Sequence, residues 1–383
     1  MPAGIRFPMV GLPGSAEELR AEVREFLSCE ITAGAFSPRC DSWLGEYSPE
    51  FSRKLGERGW LGMTWPKRYG GHERSALERF VVTEELLAAG APVASHWIAD
   101  RQSGPSILRH GTEEQKKRFL PAIARGECFF SIGMSEPESG SDLASVRTGA
   151  ERVGGGWRVN GTKIWTGGAH RSHHAIVLCR TSPPEERDRH AGLSQLILDF
   201  STPGMTVTPI RLLTGEHVFN EVMMEDVEVP DGMVLGNIGD GWRQVTSELA
   251  FERSGPERFL STFPLFVELV RALGRDPGER AKVEVGVLGA RLWTLRRMSL
   301  SVAGALEAGD APEVEAALVK DLGTGFEREV AEAARLLVPS GSALPEGFNA
   351  RLAEAITHAP AFTLRGGTSE ILRSIVARGL GVR

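Results

Sequence analysis

The hydrophobic pattern of this chain changes period twice, and those changes limit its fold more than any other feature. From Ser15 to about Glu127 apolar residues recur at helical spacing. Leu19, Val23, Phe26 and Leu27 follow Ser15-Ala-Glu-Glu18, which reads as a capping box, and stretches 80–89 and 113–124 repeat the style. Between about Cys128 and Leu235 the period drops to two. Trp157-Arg-Val-Asn160-Gly161-Thr-Lys-Ile-Trp165 reads as a hairpin, because Asn-Gly supplies the two positive φ angles of a type I′ turn. Further strands are expected at 175–180, 193–200, 205–212 and 221–229, with the polar stretch 182–190 as a surface loop. After Asp240 helical spacing returns: Val285, Leu288, Leu292, Leu295, Val302 and Leu306 form a bundle seam interrupted by Ser299. The pattern predicts an α+β chain in three parts: helices over 1–127, a β-domain over 128–238 and a helical bundle over 239–383.

A length of 383 residues is sufficient for two or three packed domains. The formal charge is −6 and the basic residues are interspersed with acidic ones, which leaves no footprint for nucleic acid. Cys29, Cys40, Cys128 and Cys179 are scattered without a CxxC or CxxH, so reduced thiols are expected rather than disulfides or a zinc site. No stretch approaches about 18 uninterrupted apolar residues, and the opening MPAGIRFPMVGLPG lacks the apolar run of a signal sequence. A cytoplasmic protein without a membrane span is the expectation.

Three segments stand out chemically. Phe130-Ser-Ile-Gly-Met-Ser135-Glu-Pro-Glu-Ser-Gly140-Ser141-Asp142 is an apolar strand running into hydroxyls and unhindered backbone N–H groups, which suit a phosphate or a polar ring edge. Trp165 ends the second. In the third, Leu364-Arg-Gly366-Gly367-Thr368-Ser-Glu370, a glycine pair precedes a helix start at which Thr368 either caps or meets a ligand. Each alone reads first as ordinary structure: a strand-to-turn connection, a sheet aromatic, a helix cap.

Taken in order, the segments resemble the acyl-CoA dehydrogenase family over nearly the whole chain. The matching pieces are SEPESGSD (135–142), NGTKIWTGG (160–168), Asp226-Val-Glu-Val-Pro230 with Gly239-Asp-Gly-Trp242, Phe251-Glu-Arg253, and GGTSEILRSIVAR (366–378). The resemblance implies an N-terminal helical domain, a middle β-domain and a C-terminal four-helix bundle, with FAD between the last two. It implies oxidation of an acyl-CoA thioester to the trans-2-enoyl form: a carboxylate takes the α-proton, and a hydride leaves the β-carbon for flavin N5. Electrons would pass to an electron-transfer flavoprotein or similar acceptor. By position, Ile132, Met134 and Ser135 would line the isoalloxazine edge, and Gly140 and Ser141 would meet the FAD pyrophosphate or the thioester side of the substrate. Trp165 would cover the flavin ring, and Thr368 and Glu370 would contact FAD from the last helix.

The chain departs from the family pattern at informative places. Many members carry the catalytic glutamate where this chain has Gly366; a second group places it on the first bundle helix, before an arginine, which here is Glu252-Arg253. Glu252 is therefore the expected base and Arg253 the expected contact to anionic CoA. Glu257 is the competing candidate; on one continuous helix it would point roughly 140° away from Glu252. Gly167 stands where relatives carry Ser or Thr, so one flavin hydrogen bond is missing or moved to backbone or water. Homotetrameric relatives lend a neighbour an Arg-x-x-Phe-Gly segment and a Gln-x-x-Gly-Gly segment for the adenylate half of FAD. Here those places read Leu273-Gly-Arg-Asp-Pro-Gly-Glu-Arg280 and Arg335-Leu-Leu-Val-Pro-Ser-Gly-Ser342. That combination resembles the base-bearing subunit of actinobacterial heteromeric acyl-CoA dehydrogenases, including those acting on steroid side-chain thioesters. It implies an α2β2 assembly with a second, related chain, against a homo-oligomer with an altered grip.

Alternatives of other kinds are a catalytically silent flavin- or CoA-binding subunit, and an oxidase or monooxygenase on the same fold. His170, His173 and His174 lack an acidic ligand at fitting spacing and are expected in a solvated loop rather than at a metal. No P-loop, Rossmann fingerprint or Gly-x-Ser-x-Gly elbow offers a rival chemistry.

Overall fold

The period-two region folds as eight strands: β1 (Phe130–Gly133), β2 (Gly149–Val153), β3 (Gly156–Gly167), β4 (His174–Arg180), β5 (Leu193–Asp199), β6 (Met205–Arg211), β7 (His217–Pro230) and β8 (Val234–Leu235). They form one sheet in the order β6-β7-β3-β2-β4-β5-β8, with β1 lying parallel to β4. Apolar runs decide the places. β4 is buried from Ala175 to Cys179 and sits inside, as a strand covered on both faces must. β6 alternates between half-buried and exposed residues and contains Pro209, which an edge strand tolerates.

Asn160-Gly161 does not turn the chain. β3 runs straight through it, and the turn falls earlier, between Val153 and Gly156, where Gly154-Gly155 supplies the conformational freedom. Gly161 instead marks a register shift against β7. A β-carbon there would lie 2.5 Å from Thr148 Oγ1, so only glycine fits. Asn160 bridges to the opposite strand, its Oδ1 accepting from the Asp226 N–H at 2.8 Å.

This computed structural model describes residues 4–185, 188–338, 344–345 and 347–382; the side chains of 247–252 lie outside the description. The fold divides into two compact units. One comprises Tyr47–Arg74 and Val93–Leu249, the other Met1–Glu46, Ser75–Pro92 and Ala250–Arg383. In the sheet-bearing unit one core joins Trp65 of a loop and Tyr69, Ile107, Phe119 and Ile123 of helical segments to Phe130, Ile176 and Ile197 of the sheet. A second core packs Trp157, Val159, Val177, Leu196, Met224 and Val227.

The helical unit begins with Gly14–Thr32, whose buried Ala16, Leu19, Val23, Phe26 and Leu27 form the expected stripe. Ser15 is not its cap. The helix starts at Gly14, and the Pro13 carbonyl accepts from Ala16 at 3.0 Å, so Ser15 is already helical. A true capping box is Ser75 with Glu78, opening Ala76–Ala88. Farther on come Phe263–Leu273, Glu279–Glu307, Glu313–Leu337, Phe348–Phe362 and Ser369–Gly379. In Glu279–Glu307 the seam positions Leu288, Leu295 and Val302 are buried. Ser299 is tolerated among them because its hydroxyl donates to the Ser254 carbonyl. Among the described residues no helix is long and apolar enough to cross a membrane. The architecture is N-terminal helices, a middle sheet and C-terminal helices.

Candidate functional site

In the sheet-bearing unit β1 leads Ile132 to the loop that begins at Met134. The loop is held from below by Lys163, whose ammonium donates to the Met134 carbonyl at 3.0 Å and to Glu136 Oε1 at 2.9 Å. Glu136 also accepts from the Arg147 and Thr148 N–H groups at 2.7 and 2.8 Å. Burial alone would raise this carboxyl, but Lys163 and the N–H donors outweigh it and hold Glu136 below the usual carboxylate range. The loop closes on itself: Glu136 and Ser139 exchange backbone hydrogen bonds, and the Ser139 hydroxyl donates to the Asp142 carbonyl at 2.8 Å. Gly140 and Ser141 lie at its exposed tip, and a β-carbon on Gly140 would meet nothing within 4 Å. Asp142 is bridged to Arg189 at 2.5 Å.

Ser135 and Trp165 are neighbours through backbone: the Ile164 N–H donates to the Ser135 carbonyl at 2.9 Å. Trp165 itself sits on a register shift between Lys163 and Thr166, with φ of 59°. A non-glycine residue in this region costs about 1–2 kcal/mol. Trp165 is nonetheless 55% exposed, with its ring edge-on to Phe219, whose centroid is 5.9 Å away. Backbone strain of this kind clusters at functional sites, and here it holds a large apolar ring towards solvent. Behind it, buried Asn220 donates to the Thr166 carbonyl at 3.0 Å, and His217 shares a 2.6 Å hydrogen bond with Asn220. Gly167 accepts from the Ser131 hydroxyl at 2.9 Å, and a β-carbon on it would stand 3.8 Å from Phe219.

Of the three histidines His173 is exposed in the connection before β4, as expected, whereas His170 and His174 are half-buried. His170 lies in the turn Ala169–Arg171 with its ring stacked 3.7 Å from His217, and burial with that neighbour depresses its pKa to about 4. His173 Nδ1 accepts from the Phe129 N–H at 3.0 Å, and His174 opens β4 beside Phe119. Aromatic packing, which spacing does not encode, pulls His170 and His174 in. Among the described residues no three His, Cys, Asp or Glu side chains converge as for a metal.

Helix Gly241–Glu252, which begins in the sheet-bearing unit, stops at Glu252, the expected base, whose side chain lies outside the described residues. Glu257 is not on the same helix. Pro256 starts a separate turn, Pro256–Arg258, in which Glu257 is buried, so the angular argument against it lapses. Arg253 is 8% exposed, and a β-carbon placed on Gly367 would lie 3.5 Å from its guanidinium. Thr368 caps Ser369–Gly379, its hydroxyl oxygen accepting from the Ile371 N–H at 3.4 Å. Glu370 is exposed, its carboxyl lowered by its own backbone N–H and by the Thr368 hydroxyl. Just before this turn Arg365 forms two 2.6 Å contacts, to Asp41 Oδ1 and Oδ2, and lies 4.4 Å over the Trp43 ring. The residues not foreseen were Lys163 and Glu136 at the Ser135 loop, Asn220 behind Trp165, and, around the glycine turn, Arg365, Asp41 and Lys320, whose ammonium donates to the Gly367 carbonyl. Lys163 and Asn220 lie within strands and Lys320 within a helix, where a buried polar side chain is a signal; Glu136, Arg365 and Asp41 lie outside such elements and carried none.

Chemically, a flat ring with an apolar face and hydrogen-bonding edges fits the Trp165 face, the Ser135 strand end and the open Gly140 tip. Models of the acyl-CoA dehydrogenase N-terminal, middle and C-terminal domains match residues 14–127, 131–227 and 272–381. The chain is 35% identical to the acyl-CoA dehydrogenase IpdE1 of Mycobacterium tuberculosis, over 96% of this chain and 97% of IpdE1. It is 34% identical to FadE34 of the same organism over 87% of this chain, spanning 46% of FadE34's length. Among solved structures it resembles the Tcur3481-Tcur3483 steroid ACAD (TM-score 0.85, 30% identity, 97% and 99% covered). It also resembles the ChsE4-ChsE5 complex from Mycobacterium tuberculosis (TM-score 0.83, 28% identity, 98% and 99% covered). With the three domains matched in order and curated relatives aligned end to end, the chain belongs to the acyl-CoA dehydrogenase family, a flavoprotein family of oxidoreductases acting on acyl-CoA thioesters.

Proposed function

We propose that the chain is an FAD-dependent enzyme that converts an acyl-CoA thioester to its trans-2-enoyl form, with Glu252 as the proton acceptor. The observation that carries this reading is the strained, exposed Trp165 beside Ser135, a surface shaped for a planar ring. Bound FAD would supply the acceptor for the β-hydride. The chain's own residues do the rest. Ile132, Met134, Ser135, Trp165 and Gly167 would hold the ring, with Gly140 and Ser141 at the pyrophosphate or thioester side. Thr368 and Glu370 would contact FAD from the last helix, and Arg253 would neutralise the anionic substrate. Glu252 would take the α-proton, and backbone donors would bear the charge developing on the thioester oxygen. A cytoplasmic location and electron delivery to an electron-transfer flavoprotein or similar acceptor go with this reading.

Glu252→Gln in the FAD-loaded enzyme is the test: dye-coupled turnover should fall by about 1000-fold or more, while flavin stays bound. Turnover near wild type would transfer the role to another group, with buried Glu257 next in line, or leave the chain a silent subunit. Peroxide formation equal to dye reduction would indicate an oxidase.

The proposal extends to assembly: an α2β2 complex in which a second, related chain completes each adenylate site. The absent Arg-x-x-Phe-Gly and Gln-x-x-Gly-Gly segments support it, as do two similar solved structures named for pairs of chains. Flavin content of the chain expressed alone decides, since a full complement of tightly held FAD without a partner contradicts the heteromer.

A further inference from the structure

Lys320 lies on helix Glu313–Leu337 with no exposed surface, and its ammonium donates to the Gly367 carbonyl at 2.7 Å. Gly366 and Gly367 have φ of 67° and 99°, so the turn before Ser369–Gly379 is built from conformations that favour glycine. The next residue, Asp321, pairs with Arg373 at 3.0 Å on that same final helix. Two consecutive residues of one helix therefore tether both the turn and the helix it opens. Arg253 approaches the turn as well, within 3.5 Å of where a Gly367 β-carbon would be.

Stability is a poor reason for this lysine. Taking an ammonium out of water costs several kcal/mol, and an apolar side chain of similar length would fill the space without that cost. What the lysine adds is direction: fixing the Gly367 carbonyl fixes the peptide plane that also carries the Thr368 N–H.

We infer that Lys320 is a positioning residue, which holds the Gly366–Thr368 turn so that the start of the Ser369–Gly379 helix meets the flavin. The inference rests on the FAD reading above. Lys320 acts through Gly367 and transfers no proton.

The test uses Lys320→Met, Lys320→Gln, Gly367→Ala and the Lys320→Met/Gly367→Ala double variant of the full-length, FAD-loaded protein, with its partner if one is required. Thermal melting, the visible circular dichroism of bound flavin, kcat and KM are compared. Lys320→Met is expected to melt at or above the wild-type temperature, to alter the flavin dichroism and to lower kcat at least about tenfold with KM little changed. Gly367→Ala, strained at a φ of 99°, should melt lower but alter the dichroism and lower kcat in the same way, and the double variant should lose little more kcat than either single one. Unchanged dichroism and kcat in a folded Lys320→Met or Lys320→Gln variant overturns the inference. So do additive losses in the double variant, or failure of both lysine variants to fold, which would make Lys320 part of the scaffold. A wild-type protein that holds no flavin, with or without a partner, refutes the FAD reading first and this inference with it.

Discussion

Lys163 and Glu136 form an ion pair at 2.9 Å inside the sheet-bearing unit, one side chain 1% exposed and the other 9%. The pair is what turns the Ser135–Asp142 segment from a loop into a fixed shelf: Lys163 grips the strand end at Met134, and Glu136 gathers two further backbone N–H groups. Lys163→Met leaves a buried carboxylate short of its cation, which should cost about 3 kcal/mol. Chemical denaturation should show that loss, with weaker flavin retention alongside. The folded-state pKa of Glu136 lies below the ordinary 4.5, so its contribution is complete above pH 4.5 and disappears as pH falls through the lower folded value. Lys163→Met should flatten that acid limb.

Trp165 offers a test in which stability and binding move in opposite directions. Its φ of 59° is a conformation glycine adopts freely. Trp165→Gly should stabilise the flavin-free protein by about 1 kcal/mol, because the exposed indole contributes little packing. The same change removes the ring proposed to cover the flavin, so FAD should dissociate faster. A thermal melt without flavin and a flavin-release assay check the two halves. If both fall together, Trp165 is a packing residue of the sheet.

Much of this fold could be read from periodicity because the strands and helices bury regular stripes. The 113–124 stretch is the Glu113–Ala124 helix, and the 221–229 stretch lies within β7. Asn160-Gly161 misled because local turn preference is equally served by a bulge, and whether Thr148 packs against that glycine is a tertiary matter. Ser15 misled by two residues, the cap position being Pro13, which is enough to move a hydroxyl from cap into the first turn. At the candidate site, motif matching pointed to Ser135, Trp165 and Thr368, whose chemistry is displayed in short segments. It could not locate the supports. Lys163 meets Glu136 across 27 residues and Arg365 meets Asp41 across 324, and one sequence carries no signal linking such pairs.

Gly167 is open to a side chain. It is not among the residues with positive φ, and a β-carbon would rest 3.8 Å from Phe219, an ordinary contact. Gly167→Ser should therefore fold normally and return the hydroxyl that resembling proteins carry here. One net hydrogen bond is worth about 1 kcal/mol, so FAD should bind roughly fivefold tighter. Unchanged affinity in a flavin titration would mean that backbone or water already fills this role.

Glu327 is fully buried, and its pKa is pushed up to about 7. Burial drives it upward, while Arg365 and the Ser261 N–H, which donates to Oε1 at 2.8 Å, pull the other way and lose. Because the folded state holds this proton more tightly than the unfolded chain, the contribution of Glu327 to stability is fully present below pH 4.5. The protein should lose roughly 3 kcal/mol from this group as pH rises from 4.5 to 7, and nothing further from it above 7. Glu327→Gln supplies a neutral group of the same shape at every pH. Urea denaturation at intervals between pH 4.5 and 8 should show a downward slope in the wild type that the variant lacks, with the variant equal or superior above pH 7. An identical slope in both would assign the pH dependence elsewhere and require that Glu327 ionise normally inside the bundle.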